Sequence, residues 1–208
     1  CFDPSSAQEA YEMIQEAFEY SEKYGTPVFL RPTTRVCHGY ASIMVKDETE
    51  YTHHQPEGFI KDSKRWVIFP RLSFMNHKKI EARNQELSDI FSSYEKNTIH
   101  PSCDAFKDSK KGIATGGISY TYTMETLKKT GMVETLKIAT PHPFQEKLAV
   151  DFLSGLDEVL CLEELDPVIE RELIYICGKY HLPTRINGKL SGHTACAGEN
   201  TRDTITTY

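Results

Sequence analysis

At 208 residues with a hydrophobic share of 39%, the chain is long enough for one domain and part of another. A charged fraction of 26% and a formal charge of −6 describe a soluble surface and exclude nonspecific nucleic-acid binding, which needs a basic face. No apolar run approaches the roughly 20 residues of a membrane span, so neither nucleic acid nor membrane is expected as a partner.

The first residue is Cys1, and no charged and apolar leader pattern follows it. The simplest expectation is a segment of a longer protein. Six cysteines stand at positions 1, 37, 103, 161, 177 and 196. No pair forms C-x-x-C and no histidine pair has zinc-site spacing, so reduced thiols in a cytoplasmic protein are expected, and no metal site.

Cys1 to Asp3 reads as the end of a strand. Ser6 followed by Glu9 is a capping box that opens a helix running to Tyr24. Tyr11, Ile14, Phe18 and Ser21, with Ala10 and Ala17 beside them, are assigned to its buried face, and Gly25 stops it. Val28 to Leu30 reads as a short buried strand. The resulting strand–helix–strand unit is too small to stand alone and must pack on something else. Arg31, Thr33, Thr34 and Arg35 follow at the carboxyl end of that strand, where ligands of α/β sheets bind. Two guanidinium groups and two hydroxyls suit a carboxylate or phosphate. The competing reading is a capped turn whose arginines pair with nearby acids, at a domain interface.

Residues 41 to 107 read as a connecting segment. Ala41 to Val45 is a candidate strand, and Lys46 to Lys64, with His53 and His54, a polar loop. Adjacent histidines without further ligands make a poor metal site. Trp66 to Phe69 is expected to anchor the connection on a neighbouring surface. A long amphipathic helix is predicted from Ser73 to Tyr94, with Ile80, Leu87, Ile90, Phe91 and Tyr94 as its buried stripe. Thr98 to Phe106 holds one short edge strand.

From Lys111 to Asn187, short apolar strands alternate with helical segments, the pattern of βαβ units and a mostly parallel sheet with flanking helices, so the fold class is α/β. Strands are predicted at 112–115, 136–139, 159–162 and 184–186. Helices follow the first three, and Asp166 with Pro167 is assigned as the start of the last helix. Residues 191–208, rich in Gly and Thr, read as a linker or tail. Gly116, Gly117 and Ser119 open the first of these helices and form a candidate anion-binding turn. The turn matches neither G-x-G-x-x-G nor G-x-x-x-x-G-K-[ST], and two glycines there equally mark a tight turn with close packing. Glu163, Glu164 and Asp166 form an acidic cluster at a strand end, read as caps or interface partners rather than acid–base catalysts. No G-x-S-x-G or H-E-x-x-H is present, and no residue is assigned as catalytic.

Four blocks narrow the family. Gly112-Ile113-Ala114-Thr115-Gly116-Gly117-Ile118-Ser119-Tyr120, Leu136 to Leu148, Glu163 to Glu170, and the upstream stretch from Glu9 to Arg35 all resemble, in order, the alpha subunit of indolepyruvate ferredoxin oxidoreductase. The resemblance implies a thiamine diphosphate-dependent enzyme of the 2-oxoacid:ferredoxin oxidoreductase group. Such enzymes decarboxylate an aryl pyruvate to an acyl-CoA and pass electrons through iron–sulfur clusters to ferredoxin. It implies residues 1–40 as the end of a thiamine pyrimidine-binding-like domain and 108–190 as a transketolase C-terminal-like, Rossmann-like three-layer domain. Other domains of the parent chain, a beta subunit, ferredoxin and a second copy of the chain are the implied partners. The family's Gly-Asp-Gly…Asn diphosphate and Mg²⁺ motif and its cluster cysteines do not occur in this sequence. The segment itself is therefore expected to carry no cofactor and no reacting residue; thiamine diphosphate, Mg and iron–sulfur clusters are implied for the parent. The alternative is a stand-alone interaction or nucleotide- and CoA-binding α/β domain.

Overall fold

The computed structural model describes residues 1–208 except Thr52 and His54. Five strands form one sheet in the order β1-β3-β2-β4-β5. They are β1 (Thr98–His100), β2 (Lys111–Gly116), β3 (Glu134–Ile138), β4 (Glu158–Leu162) and β5 (Arg185–Asn187). β2, β3, β4 and β5 are parallel, and β1 alone is antiparallel, on the edge beside β3. The fold is α/β, as the alternation predicts.

Strand order dictates the layers. Helix α5 (Gly117–Thr130) carries the chain from β2 to β3, in one direction across the sheet. Helices α6 (Glu146–Leu153) and α7 (Val168–Tyr180) carry it from β3 to β4 and from β4 to β5, in the other direction. Right-handed crossovers then place α5 on one face and α6 and α7 on the opposite one. The core under α6 and α7 contains Leu136, Ile138, Phe152, Leu153, Leu173 and Ile176, all fully buried. Each such side chain contributes on the order of 1.5–3 kcal/mol of burial. Ala114 of β2 sits in register with Leu136 of β3 and Cys161 of β4, so the central strand is small beside the bulky Leu136.

A second cluster joins the N-terminal unit to this body. Phe2, Met13 and Ala17 pack with Leu87, Phe91 and Ala139. Met13 and Ala17 belong to α1 (Ala7–Tyr24), which Ser6 caps by accepting from the Glu9 N–H. Leu87 and Phe91 belong to α4 (Pro70–Phe91). Asn97 locks the junction: its amide donates to the Phe91 carbonyl and the Thr140 hydroxyl, and its oxygen accepts from the Ala139 N–H at 2.7 Å.

Several expectations change. The buried face of α1 is Met13 and Ala17, with Tyr20 and Tyr24 behind them; Ile14 and Phe18, expected inside, are 42% and 68% exposed. The helix is apolar on two sides, and only one side meets α4. Val28 to Leu30 makes a single bridge, Leu30 to Phe2, rather than a strand, and Phe29 is exposed. Ala41 to Val45 is not a strand and lies exposed. Trp66 to Phe69 does not anchor: it ends the one-turn α3 (Ser63–Trp66) and stays open to solvent. Helix α4 starts three residues earlier than predicted, because Pro70 is tolerated in a first turn. Its buried residues are Leu87, Ser88 and Phe91, and Ile80 is exposed. The last strand is displaced by one residue, to Arg185–Asn187. The presumed tail contains α8 (Arg202–Thr207), capped by Thr201 and packed on α5 through the buried Ile205. His54, one of the paired histidines, lies outside the described residues.

Candidate functional site

The residues singled out at positions 31–35 and 116–119 meet at one place, the carboxyl end of β2. The N-terminal chain enters there as an extended segment. The Phe2 N–H donates to the Phe29 carbonyl and the Arg31 N–H to the Phe2 carbonyl, while the Asp3 N–H reaches the Ala139 carbonyl at 2.8 Å. This brings the Asp3 side chain, 3% exposed, over the Gly116–Gly117 turn.

Both glycines are explained by close approach. A Cβ on Gly116 would stand 2.6 Å from the Ile138 carbonyl oxygen. Gly117 opens α5 with φ +52°, and a Cβ there would stand 3.0 Å from Thr33 Cγ2 and 3.2 Å from Asp3 Oδ1. The positive φ favours glycine on its own account. Asp3 is paired with Arg31 at 2.8 Å through Oδ2, whereas its Oδ1 is buried without a hydrogen-bond partner. Burial pushes the Asp3 carboxyl up, against the pull of the Arg31 guanidinium, and Glu164 adds a smaller push in the same direction as burial.

The other predicted residues are placed as follows. Thr33 precedes α2 (Thr34–His38), with its hydroxyl buried and unpartnered and making no cap bond. Thr34 is exposed. Arg35 makes two bonds to Glu199, at 2.6 and 2.8 Å, with both side chains about half exposed. Ser119 is buried and accepts from the Asn200 amide at 2.9 Å, and the Asn200 N–H donates to Glu164 at 2.8 Å. The C-terminal segment thus crosses the strand ends and fills the mouth of the turn.

The acidic cluster separates by role. Glu163 is buried, and its carboxylate accepts the first N–H groups of α7, from Val168, Ile169 and Glu170, at 2.9 to 3.0 Å. This is the cap that the sequence assigned to Asp166; the longer side chain from the strand end reaches three donors that the Asp166 side chain does not engage. Burial pushes the Glu163 carboxyl up in spite of those three bonds. Glu170, fully buried, accepts the Leu190 N–H at 3.0 and 3.2 Å, and Gly188 is required beside it, since a Cβ would fall 2.7 Å from the carboxylate.

Sequence reasoning missed Asp3, Glu170, Glu199 and Asn200. All four act across long sequence separations or from the segment read as a tail, and none sits in a local motif. Among the described residues, no group of three or more His, Cys, Asp or Glu is arranged to hold a metal ion. None of the six cysteines is paired in a disulfide. No helix among the described residues is long and apolar enough to cross a membrane. Two clefts, of about 1020 and 1080 Å³, lie away from this junction, along α1 and the segment before and within α4.

No family model matches the chain. Curated relatives do. It is 35% identical to indolepyruvate oxidoreductase subunit IorA of Methanothermobacter thermautotrophicus over 192 residues, which cover 91% of this chain and 30% of the relative. It is 34% identical to the subunit of the same name from Pyrococcus abyssi, covering 90% of this chain and 29% of that one. A solved 2-oxoglutarate:ferredoxin oxidoreductase from Magnetococcus marinus superposes with a TM-score of 0.46 at 16% identity, over 67% of this chain and 23% of that one. The chain spans about 30% of the length of the curated relatives it matches. Over that span it belongs to the family of indolepyruvate oxidoreductase subunit IorA.

Proposed function

We propose that this chain is the architectural joint of an aryl-pyruvate-oxidising enzyme. In this reading residues 1–40 end a thiamine pyrimidine-binding-like domain, residues 108–190 form a transketolase C-terminal-like domain, and residues 41–107 connect them. The parent enzyme would oxidatively decarboxylate indolepyruvate to an acyl-CoA with ferredoxin as electron acceptor, using thiamine diphosphate, Mg and iron–sulfur clusters held elsewhere in the assembly. It would act with a beta subunit, in the cytoplasm.

The observation that carries the reading is the occupancy of the Gly116–Gly117 turn. A helix N-terminus favours an anion. Here the buried Asp3 carboxylate already lies against the turn, 3.2 Å from where a Gly117 Cβ would stand, and Asn200 fills the Ser119 side. A diphosphate would bring more negative charge against a buried carboxylate, so the residues present do not fit thiamine diphosphate or a nucleotide, and no catalytic step is routed through them. Arg31 and Arg35 are likewise engaged by Asp3 and Glu199. They act as domain-interface residues, and Thr33 and Thr34 shape the turn that carries Arg35.

The test has two arms. Titration calorimetry of the chain with thiamine diphosphate and Mg²⁺, with CoA and with ATP is expected to give no heat of binding. Micromolar binding of any of them, lost in Gly117→Val, would overturn the architectural reading. In the full-length subunit assembled with its partner, indolepyruvate-dependent ferredoxin reduction is expected. An assembled enzyme inactive on every aryl pyruvate would remove the proposed reaction.

A further inference from the structure

We propose that His100 makes the edge strand β1 a pH-sensitive clasp, closed while its imidazole is neutral and released when the ring takes a proton. The inference does not rest on the parent reaction.

β1 has three residues and pairs on one side only, with β3. So short a ladder depends on how its ends are held. Its start is fixed without a titratable group. Asn97, just before it, is buried and bonded to the Phe91 carbonyl, the Thr140 hydroxyl and the Ala139 N–H. Its end is His100, followed by Pro101, which has no N–H to continue the ladder. His100 is half-buried, and its Nε2 lies 3.1 Å from the Thr98 hydroxyl and 3.0 Å from the Tyr120 hydroxyl. Its ring stacks on the Tyr120 ring, with centroids 5.8 Å apart. Tyr120 belongs to α5, so this contact ties the end of β1 to that helix.

The charges beside the contact decide how it answers to pH. Lys137 of β3, in register with Thr98, holds its ammonium 4.6 Å from the centre of the same Tyr120 ring. Glu9 of α1 balances that ammonium and also accepts from the Ser5 N–H and hydroxyl at 2.7 Å. The β3 residue opposite His100 is Thr135, which is uncharged. Among the described residues, no carboxylate lies within ion-pair distance of His100. A protonated imidazole would therefore set a second cation against the ring that Lys137 already uses, with no acid of its own. The face of a tyrosine attracts a cation, but two cations held beside it repel each other. Burial, and then the Lys137 ammonium, hold the His100 imidazole below its ordinary value. Its neighbours keep their charge meanwhile, because Glu9 titrates below and Tyr120 above its ordinary value. A depressed histidine gives stability that is whole above its unfolded pKa of about 6.5 and is lost as pH falls through the folded value. The loss falls on the strand end that His100 holds, while Asn97 keeps the start. The result is local opening of β1 rather than unfolding of the sheet.

Proton NMR of the His100 ring across roughly pH 5 to 8, with hydrogen exchange of the β1 amides, tests the clasp. The ring is expected to titrate below about 6.5, and the β1 amides to lose at least about tenfold in protection as it does, while the α7 amides keep theirs. His100→Gln, which keeps a neutral polar group at the strand end, should hold β1 protection constant over the same range. Glu9→Gln combined with Lys137→Met removes both charges together and leaves neither buried alone, and circular dichroism checks that it folds. In that double variant the His100 midpoint should rise by about half a unit. A wild-type midpoint at or above about 6.5, or β1 protection that does not change across it, would overturn the proposal. So would the same loss of protection in His100→Gln, which would assign the pH response to another group. A midpoint unmoved in the double variant would overturn it too, because Lys137 would then have no part in holding the ring neutral.

Discussion

Gly117→Ala is expected to destabilise the chain by about 2–3 kcal/mol, and the figure is built from separate terms. Gly117 holds φ +52°, and a non-glycine residue in the left-handed region costs about 1–2 kcal/mol. The added Cβ would meet Thr33 Cγ2 at 3.0 Å and Asp3 Oδ1 at 3.2 Å. Neither neighbour yields easily: Asp3 is held by Arg31 and by the Ala139 carbonyl, and Thr33 is fixed between Pro32 and α2. Overpacking of this kind adds about 1–3 kcal/mol. Against this, alanine reduces the freedom of the unfolded chain, a gain of about 0.4–1 kcal/mol. Gly178 supplies the control. It lies inside α7 with nothing within 4 Å of its would-be Cβ, so Gly178→Ala should stabilise by about 0.5–1 kcal/mol. Urea unfolding followed by circular dichroism reads both, with midpoints moving in opposite directions at constant slope. The thermal midpoint should move by about 2–4 °C per kcal/mol for a chain of this size. A neutral Gly117→Ala would refute the reasoning, because the turn would then be neither strained for alanine nor tightly covered by Asp3.

Two further outcomes follow from buried carboxylates of opposite behaviour. Burial pushes the Glu9 carboxyl up, but the buried Lys137 paired with it, together with bonds from the Ser5 N–H and hydroxyl, outweighs that and holds it below its ordinary value. A depressed acid stabilises the fold above its unfolded pKa of about 4.3, and that contribution disappears as pH falls through the folded value. Glu9→Gln should destabilise the chain at pH 7, by about 3 kcal/mol for a buried pair broken on one side, and the deficit should narrow on acidification; a deficit independent of pH would show that the pair is not what is lost. Glu163 behaves in the opposite sense, since burial raises its pKa. Its proton is bound more tightly in the folded state, so the wild type loses stability as pH rises from about 4.3 through the folded value, and Glu163→Gln should remove that part of the slope. Glu163→Ala, which leaves three α7 N–H groups without their acceptor, should cost about 1–3 kcal/mol at any pH, and a loss confined to one end of the pH range would count against the cap.

What the sequence made legible is what local chemistry controls. The alternation from Lys111 to Asn187 identified the parallel strands, because each is a short apolar run bounded by glycine or a cap. Ser6 and Gly25 bounded α1 because capping involves only neighbouring residues. The buried side of α1 was misread for a reason of the same kind. The helix carries two apolar stripes, Met13 with Ala17 and Ile14 with Phe18, and nothing within the helix says which one meets α4. The C-terminal segment was misread as a tail because its order comes from distant partners: Glu170 to Leu190, Glu164 to Asn200, Asn200 to Ser119 and Arg35 to Glu199.

The four sequence blocks that point to the family share a physical character. Gly116 has no room for a Cβ because the Ile138 carbonyl is in the way, and Gly117 has none because Asp3 and Thr33 are. The block from Leu136 to Leu148 contains the Ala139 and Thr140 amides that Asn97 holds, and the carbonyl that receives Asp3. In the block from Glu163 to Glu170, the first residue caps the helix and the last holds the returning C-terminal segment. Arg31 and Arg35, which close the upstream block, are each engaged by a carboxylate from another part of the chain. Apart from the local Glu163 cap, each of these constraints is a fit between segments distant in sequence, and none leaves a charged group free beside an open cavity. That is the pattern the proposed architectural joint requires. On that proposal, substitutions in these blocks should act first on stability and domain registration, and on turnover only through them.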